Sequence, residues 1–144
     1  MRTLDVSGPI HASCVAVDGR AVLILGKSGS GKSCLALELL AFGADLVSDD
    51  RTVLTASDTA IHAQAPPQIA GRIEARGVGI LRAKHVSDAR IEVVVDLDLL
   101  ETDRLPRSRR VLISGVELPL LYRSEQVHFG PAILQMLRSG RSDP

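Results

Sequence analysis

Apolar positions along this chain fall mostly into short runs. Ile10 to Val17 is one, Asp18-Gly19 is a two-residue turn signal, and Ala21 to Leu25 (AVLIL) is wholly apolar. That order predicts a hairpin whose second strand is buried on both faces. The period then changes. Cys34 to Gly43 (CLALELLAFG) has leucines at 35, 37, 39 and 40, alanine fill and a closing glycine, which predicts a helix with a C-terminal stop. Short runs return at Leu46-Val47, at Thr52 to Thr55, and at Ala60 to Gln64 beyond a Ser57-Asp58 turn, and Pro66-Pro67 closes that group.

Gln68 to His85 is less regular. Ile73, Val78, Ile80 and Leu81 are interrupted by Gly77 and Gly79, which predicts a strand with a bulge or a close backbone approach. Glu74 and Arg76 alternate with apolar neighbours and so share one face, either a ligand site or solvent. Arg90 to Leu100 (RIEVVVDLDLL) is the strongest later strand. Val111 to Ile113 and Val116 to Tyr122 flank a Ser114-Gly115 turn, and Gly130-Pro131 opens a helix from Ala132 to Arg138. The first nine residues read as a lead-in and the last five as a polar tail. With no repeat, linker or low-complexity segment, residues 1–144 are expected to form a single α/β domain.

Composition narrows the partners. The chain is 45% hydrophobic but only 2% aromatic, so its core is built from Ala, Val, Leu and Ile. Lys+Arg and Asp+Glu are both 17, and neither this balance nor the scarcity of stacking rings favours nucleic acid or an anionic membrane as partner. No apolar run reaches membrane-spanning length and the N-terminus has no signal-peptide pattern, so a cytoplasmic protein is expected. Cys14 and Cys34 form no metal-binding pair and read as two small buried thiols.

The chemistry centres on Gly26-Lys27-Ser28-Gly29-Ser30-Gly31-Lys32-Ser33, which matches G-x-x-x-x-G-K-[ST] in full between the apolar strand and the helix. Glycines let backbone N–H groups approach phosphate oxygens, and the helix start adds its positive dipole end. Lys32 would reach the β- and γ-phosphates, and Ser33 would place its hydroxyl on Mg2+. A Gly/Ser turn that happens to hold a lysine is the bland alternative. The context of strand and helix favours a phosphate-binding loop for ATP or a related polyphosphate.

The acids and arginines leave choices open. Asp49-Asp50 stands at a strand end, where two adjacent carboxylates suit a metal-side ligand or a general base near a triphosphate. Asp96 follows the Val93 to Val95 strand and fits the metal-side description as well. His11 lies on the strand before the loop, where a histidine is more often structural. Arg104, Arg107, Arg109 and Arg110 lie in a segment that reads as a solvated loop, though an arginine there could stabilise a transferred phosphoryl group.

Taken together, these motifs resemble the catalytic domain of HPr kinase/phosphorylase. They are HASCVAVDG, GKSGSGKS with LALELL, LVSDDR, APPQIAGRIEARGVGI and DRLP, in the family's order from about His11 to Pro119. The resemblance implies a P-loop (Walker A) kinase domain with a mixed β-sheet and few helices, similar to PEP carboxykinase. It implies ATP and Mg2+ as cofactors and an HPr-like phosphocarrier, of the sugar or the nitrogen type, as the protein phosphorylated on serine. His11 is similar to the family's active-site histidine, Asp50 to the residue that exchanges the serine proton, Glu74 to a magnesium ligand and Arg104 to an active-site arginine. Asp49 would lie beside Asp50, with Ser33 and Glu74 on the metal side, and the resemblance favours this pair over Asp96, which becomes structural. Family members form hexamers, so a homo-oligomer is expected.

Two departures stand out. The chain starts close to His11, whereas longer members carry an N-terminal domain, so it resembles the truncated form found in some proteobacteria. LPLLYRSEQVHFGPAIL is shorter than, and diverges from, the family's glycine- and arginine-bearing loop, which is tied to phosphorolysis yielding pyrophosphate. Two other function classes fit the residues alone: a phosphate-loop kinase or ATPase for a small molecule, and a non-catalytic ATP sensor. A sensor has no need of Asp50.

Overall fold

The structure is a computed structural model in which residues 1–6 and 8–143 are described; Ser7 of the expected lead-in and Pro144 of the expected tail lie outside them. In chain order the elements are β1 (Arg2–Leu4), β2 (Pro9–Val17), β3 (Arg20–Leu25), α1 (Lys32–Ala41), β4 (Asp45–Ser48), β5 (Arg51–Ala56) and β6 (Ile61–Gln64). A short 3-10 turn (Pro67–Ile69) leads to β7 (Arg72–Ala75), β8 (Gly79–Arg82), β9 (Ala89–Leu100), β10 (Arg110–Ile113), β11 (Val116–Arg123) and α2 (Phe129–Ser139). The result is a mixed, sheet-rich α/β fold with few helices.

Nine of the described strands form one sheet, in the order β1-β10-β11-β9-β3-β2-β5-β6, with β4 also pairing β2. β3 runs parallel to β9 and antiparallel to β2, so the loop after β3 opens at the C-terminal end of β9. β6 returns to pair antiparallel with the start of β9 through His62↔Arg90, which curls the sheet. β7 and β8 form a separate two-stranded hairpin.

Strand alternation divides the core. Ala12, Cys14, Ala16, Leu23 and Leu25 face one side with Val94 and Ile113, inside the curl. Val15, Val17, Val22 and Ile24 face the other, where Leu39 of α1 and Ile133, Leu134 and Leu137 of α2 cover them. Each such fully buried aliphatic side chain contributes about 1.5–3 kcal/mol. Phe42 caps α1, and the Gly43 N–H bonds the Leu40 carbonyl, so the predicted glycine stop is real.

Four expectations need correction. The lead-in contains β1, which pairs parallel with β10 and whose Arg2 guanidinium ion-pairs with buried Asp96. α1 begins at Lys32, not Cys34, because the loop's last residues already have helical geometry. The bulged strand is a hairpin, with the two interrupting glycines at and just after its turn. Cys14 is buried, and burial pushes its thiol pKa up, but Cys34 is exposed on the outer face of α1.

A candidate phosphate-binding site with an acidic pair

The site begins with the turn from β3 into α1. Ser30 N–H bonds the Lys27 carbonyl at 3.0 Å, and Leu35 N–H bonds Gly31 at 2.9 Å as the helix starts. Gly26 has φ 157°, and a Cβ there would sit 2.3 Å from Ser30 Oγ. That hydroxyl is buried without a hydrogen-bond partner among the described residues. Lys32 is buried and folds back, its ammonium donating to the carbonyls of Gly26 (2.8 Å) and Lys27 (3.2 Å). Ser28 and Gly29 form the exposed tip. Lys27 N–H bonds the Asp98 carboxylate at 3.1 and 3.2 Å.

The acids lie across from this loop because β4 pairs with β2 and ends beside α1. Asp49 is buried, and its carboxylate collects three donors. Oδ1 accepts from Ser33 Oγ at 2.6 Å and from Ser13 Oγ at 3.0 Å, and Oδ2 accepts from the Glu74 N–H at 3.1 Å. Such saturation compensates the burial of a charge. Asp50 differs in every respect. It has φ 67°, a left-handed conformation uncommon for a residue with a side chain, and it turns its carboxylate outward. There Asp50 Oδ1 lies 2.6 Å from His11 Nε2, with the side chains 59% and 47% exposed.

The structure therefore brings His11, Lys32, Ser33, Asp49 and Asp50 to one end of the β2–β3 hairpin. Glu74 joins through its backbone, with an exposed side chain on β7. Among the described residues no group of three or more His, Cys, Asp or Glu is gathered for a metal. Magnesium does not require one: it takes one or two carboxylates and completes its shell with substrate phosphates and water. The adjacent Ser33 hydroxyl and Asp49 carboxylate fit that donor set. Arg104 stands apart, exposed in the loop after β9, with no described hydrogen bond or ion pair. Asp96 is held by Arg2 and by the Asp98 N–H at 2.9 Å, as expected of a structural acid.

Ser13, although within HASCVAVDG, and Asp98 were not anticipated from sequence as parts of the site. A polar residue in an otherwise apolar buried strand was the available signal for Ser13. For Asp98, the signal was its alternation with Asp96 along β9.

Comparison with known proteins places the chain in a family. A family model described as the HPr Serine kinase C-terminal domain matches residues 2–119. The HPr kinase/phosphorylase of Caldicellulosiruptor bescii is 36% identical over 124 residues, covering 77% of this chain and 40% of that protein. That of Geobacillus kaustophilus is 39% identical over 125 residues, with 78% and 40% covered. The chain thus spans about 40% of the length of these relatives. The structure of the Hpr(Ser) kinase/phosphatase from Coxiella burnetii superposes with a TM-score of 0.73 at 24% identity, covering 92% of this chain and 94% of that one, which shows a shared fold. On the extent of the family match, this chain belongs to the HPr serine kinase C-terminal domain family.

Proposed function

We propose that this chain transfers the γ-phosphoryl group of ATP, with Mg2+, to a serine hydroxyl of an HPr-like phosphocarrier protein. The observation that carries the reading is the division of labour within the acidic pair. Asp49 is buried on the Ser33 side of the phosphate loop, and Asp50 is exposed on His11. A phosphate loop alone binds nucleotide. An exposed carboxylate beside it supplies what a serine hydroxyl needs, a base to take its proton.

In this reading residues 1–144 act as one P-loop kinase domain of the PEP-carboxykinase-like kind, supported by the strand, glycine loop and helix at Leu25 to Lys32. Lys32 gives up its two loop carbonyls to hold the β- and γ-phosphates, aided by the N-terminus of α1. Ser33 and Asp49, with Glu74, would hold Mg2+, which neutralises phosphate charge when bound. Asp50 accepts the serine proton as the serine oxygen bonds to the γ-phosphorus and the bond to ADP breaks; His11 orients that carboxylate. Arg104, delivered by the loop after β9, meets the charge of the transferred group. In the reverse direction inorganic phosphate takes the phosphoryl group from phosphoserine, giving pyrophosphate, and Asp50 returns the proton.

The test is transfer itself. The chain is mixed with labelled ATP, Mg2+ and purified HPr-type carriers, and the labelled residue is mapped. Label on a carrier serine supports the proposal. Adding inorganic phosphate to the labelled carrier and measuring pyrophosphate tests the reverse step. Measurable ATP binding with no label on any carrier would leave a nucleotide sensor or a small-molecule kinase.

A further inference from the structure

We propose that Ser13 is a positioning residue of this site, its hydroxyl locking the Asp49 carboxylate to the backbone of Asp50 so that the metal-side acid and the proton-accepting acid keep a fixed relation. The inference deepens the kinase reading above and rests on it.

Ser13 is fully buried in β2, where Ala12, Cys14, Val15, Ala16 and Val17 are apolar. A hydroxyl there needs partners, and backbone carbonyls are the common ones. Buried Thr52 shows that solution nearby, donating to the Ala12 carbonyl at 2.9 Å. Ser13 does something else. Its Oγ donates to Asp49 Oδ1 at 3.0 Å and accepts the Asp50 N–H at 3.0 Å. One atom thus joins two consecutive acids from a strand 36 residues away in sequence.

Strand geometry explains why this residue can do so. Positions 11 and 13 lie on the same face of β2, one period apart. His11 takes the side chain of Asp50, and Ser13 takes the Asp50 N–H and the Asp49 side chain. The left-handed φ of Asp50 makes this bracing consequential, because a non-glycine residue stays there only when its surroundings hold it. Its N–H is held by Ser13, and its carbonyl accepts the Ala12 N–H at 3.0 Å. Without the Ser13 oxygen the Asp49–Asp50 peptide keeps only the Arg51 N–H on its carbonyl, at 2.7 Å, so its tilt is less fixed and the Asp50 carboxylate drifts from its line to His11 and the substrate. The Asp49 carboxylate also loses one of the two hydroxyls on Oδ1, leaving Ser33 alone to orient that oxygen.

Two variants in the full chain test this. Ser13→Ala removes both hydrogen bonds, and Ser13→Cys fills the position with a slightly larger group that is only a weak donor and acceptor. Amide hydrogen exchange at Asp50, read by NMR without substrate, should accelerate by about tenfold or more in Ser13→Ala, with Val15 and Leu46 unchanged. Phosphotransfer to the carrier should fall about 10- to 100-fold in kcat, with KM for Mg-ATP within about twofold, as expected for a misplaced base. Ser13→Cys should fall between Ser13→Ala and the parent chain. Cysteine activity equal to the parent's would mean that the side chain only fills space, and that overturns the proposal. So does unchanged Asp50 exchange. The exchange measurement needs no carrier, so absence of transfer by the parent chain counts against the kinase reading alone.

Discussion

Two neighbouring aspartates show how far residue identity is from residue role. Asp49 and Asp50 have the same side chain, yet one is buried under three donors and the other faces solvent on a histidine. The consequences of removing each should differ. Asp50→Asn keeps the shape and removes the proposed base, so phosphotransfer should fall about 10²- to 10⁴-fold with the fold intact. Asp49→Ala leaves the Ser13 and Ser33 hydroxyls and the Glu74 N–H without their acceptor, and should lower both the affinity for Mg-ATP and thermal stability, read by calorimetry. At the loop, Gly26→Ala drives a methyl group into Ser30 Oγ in a backbone region that side chains avoid. It should abolish ATP binding while leaving the far-UV circular dichroism unchanged; retained binding would show that the loop can adapt.

Among elements, the legible ones were those whose signal is local. The β2–β3 hairpin, the phosphate loop and α1 follow from a turn dipeptide, an apolar run and a leucine period, all within 35 residues. Leu39 illustrates the payoff: it is fully buried between α1 and the sheet, and Leu39→Ala should cost about 2–5 kcal/mol by chemical denaturation. What sequence left obscure depends on distant partners. β1 has three residues and exists because β10 offers it an edge, with Arg2 reaching Asp96. The β7–β8 turn read as a bulge because glycines mark both, and only the pairing of Glu74 with Ile80 separates them. Ser13 was invisible for a similar reason: a small polar residue in an apolar strand acquires meaning only from Asp49 and Asp50. Cys34 was misjudged because the apolar stripe of α1 places position 34 outward. The acidic pair and His11 were readable as candidates, but their different environments were not.

At the scale of the molecule, one end of the sheet holds the candidate site, and polar contacts link β9 to the strands beyond it. Glu101, just past β9, binds Arg109 through both carboxylate oxygens at 3.1 and 3.2 Å, and that guanidinium stacks 4.1 Å from the Tyr122 ring on β11. The Arg109 hydrogen bonds hold the Glu101 carboxyl below its ordinary pKa. A depressed carboxylate stabilises the fold above its unfolded pKa, about 4.3, and that contribution is lost as pH falls through the folded value. Glu101→Gln should therefore lower Tm at pH 7, with the gap to the parent chain narrowing progressively as pH falls below the unfolded value of about 4.3; a gap that does not narrow on acidification would mean that the carboxylate's charge is irrelevant. The central claim is that one end of this sheet both binds nucleotide and activates a serine. The most direct measurement pairs Mg-ATP affinity by calorimetry with transfer of label to an HPr-type carrier, for the parent chain, Asp50→Asn and Lys32→Ala. The account predicts a split: Asp50→Asn binds Mg-ATP like the parent chain but transfers label at least about 100-fold more slowly, and Lys32→Ala loses both. Transfer by Asp50→Asn within about threefold of the parent chain would contradict it, since the exposed acid would then not be the base.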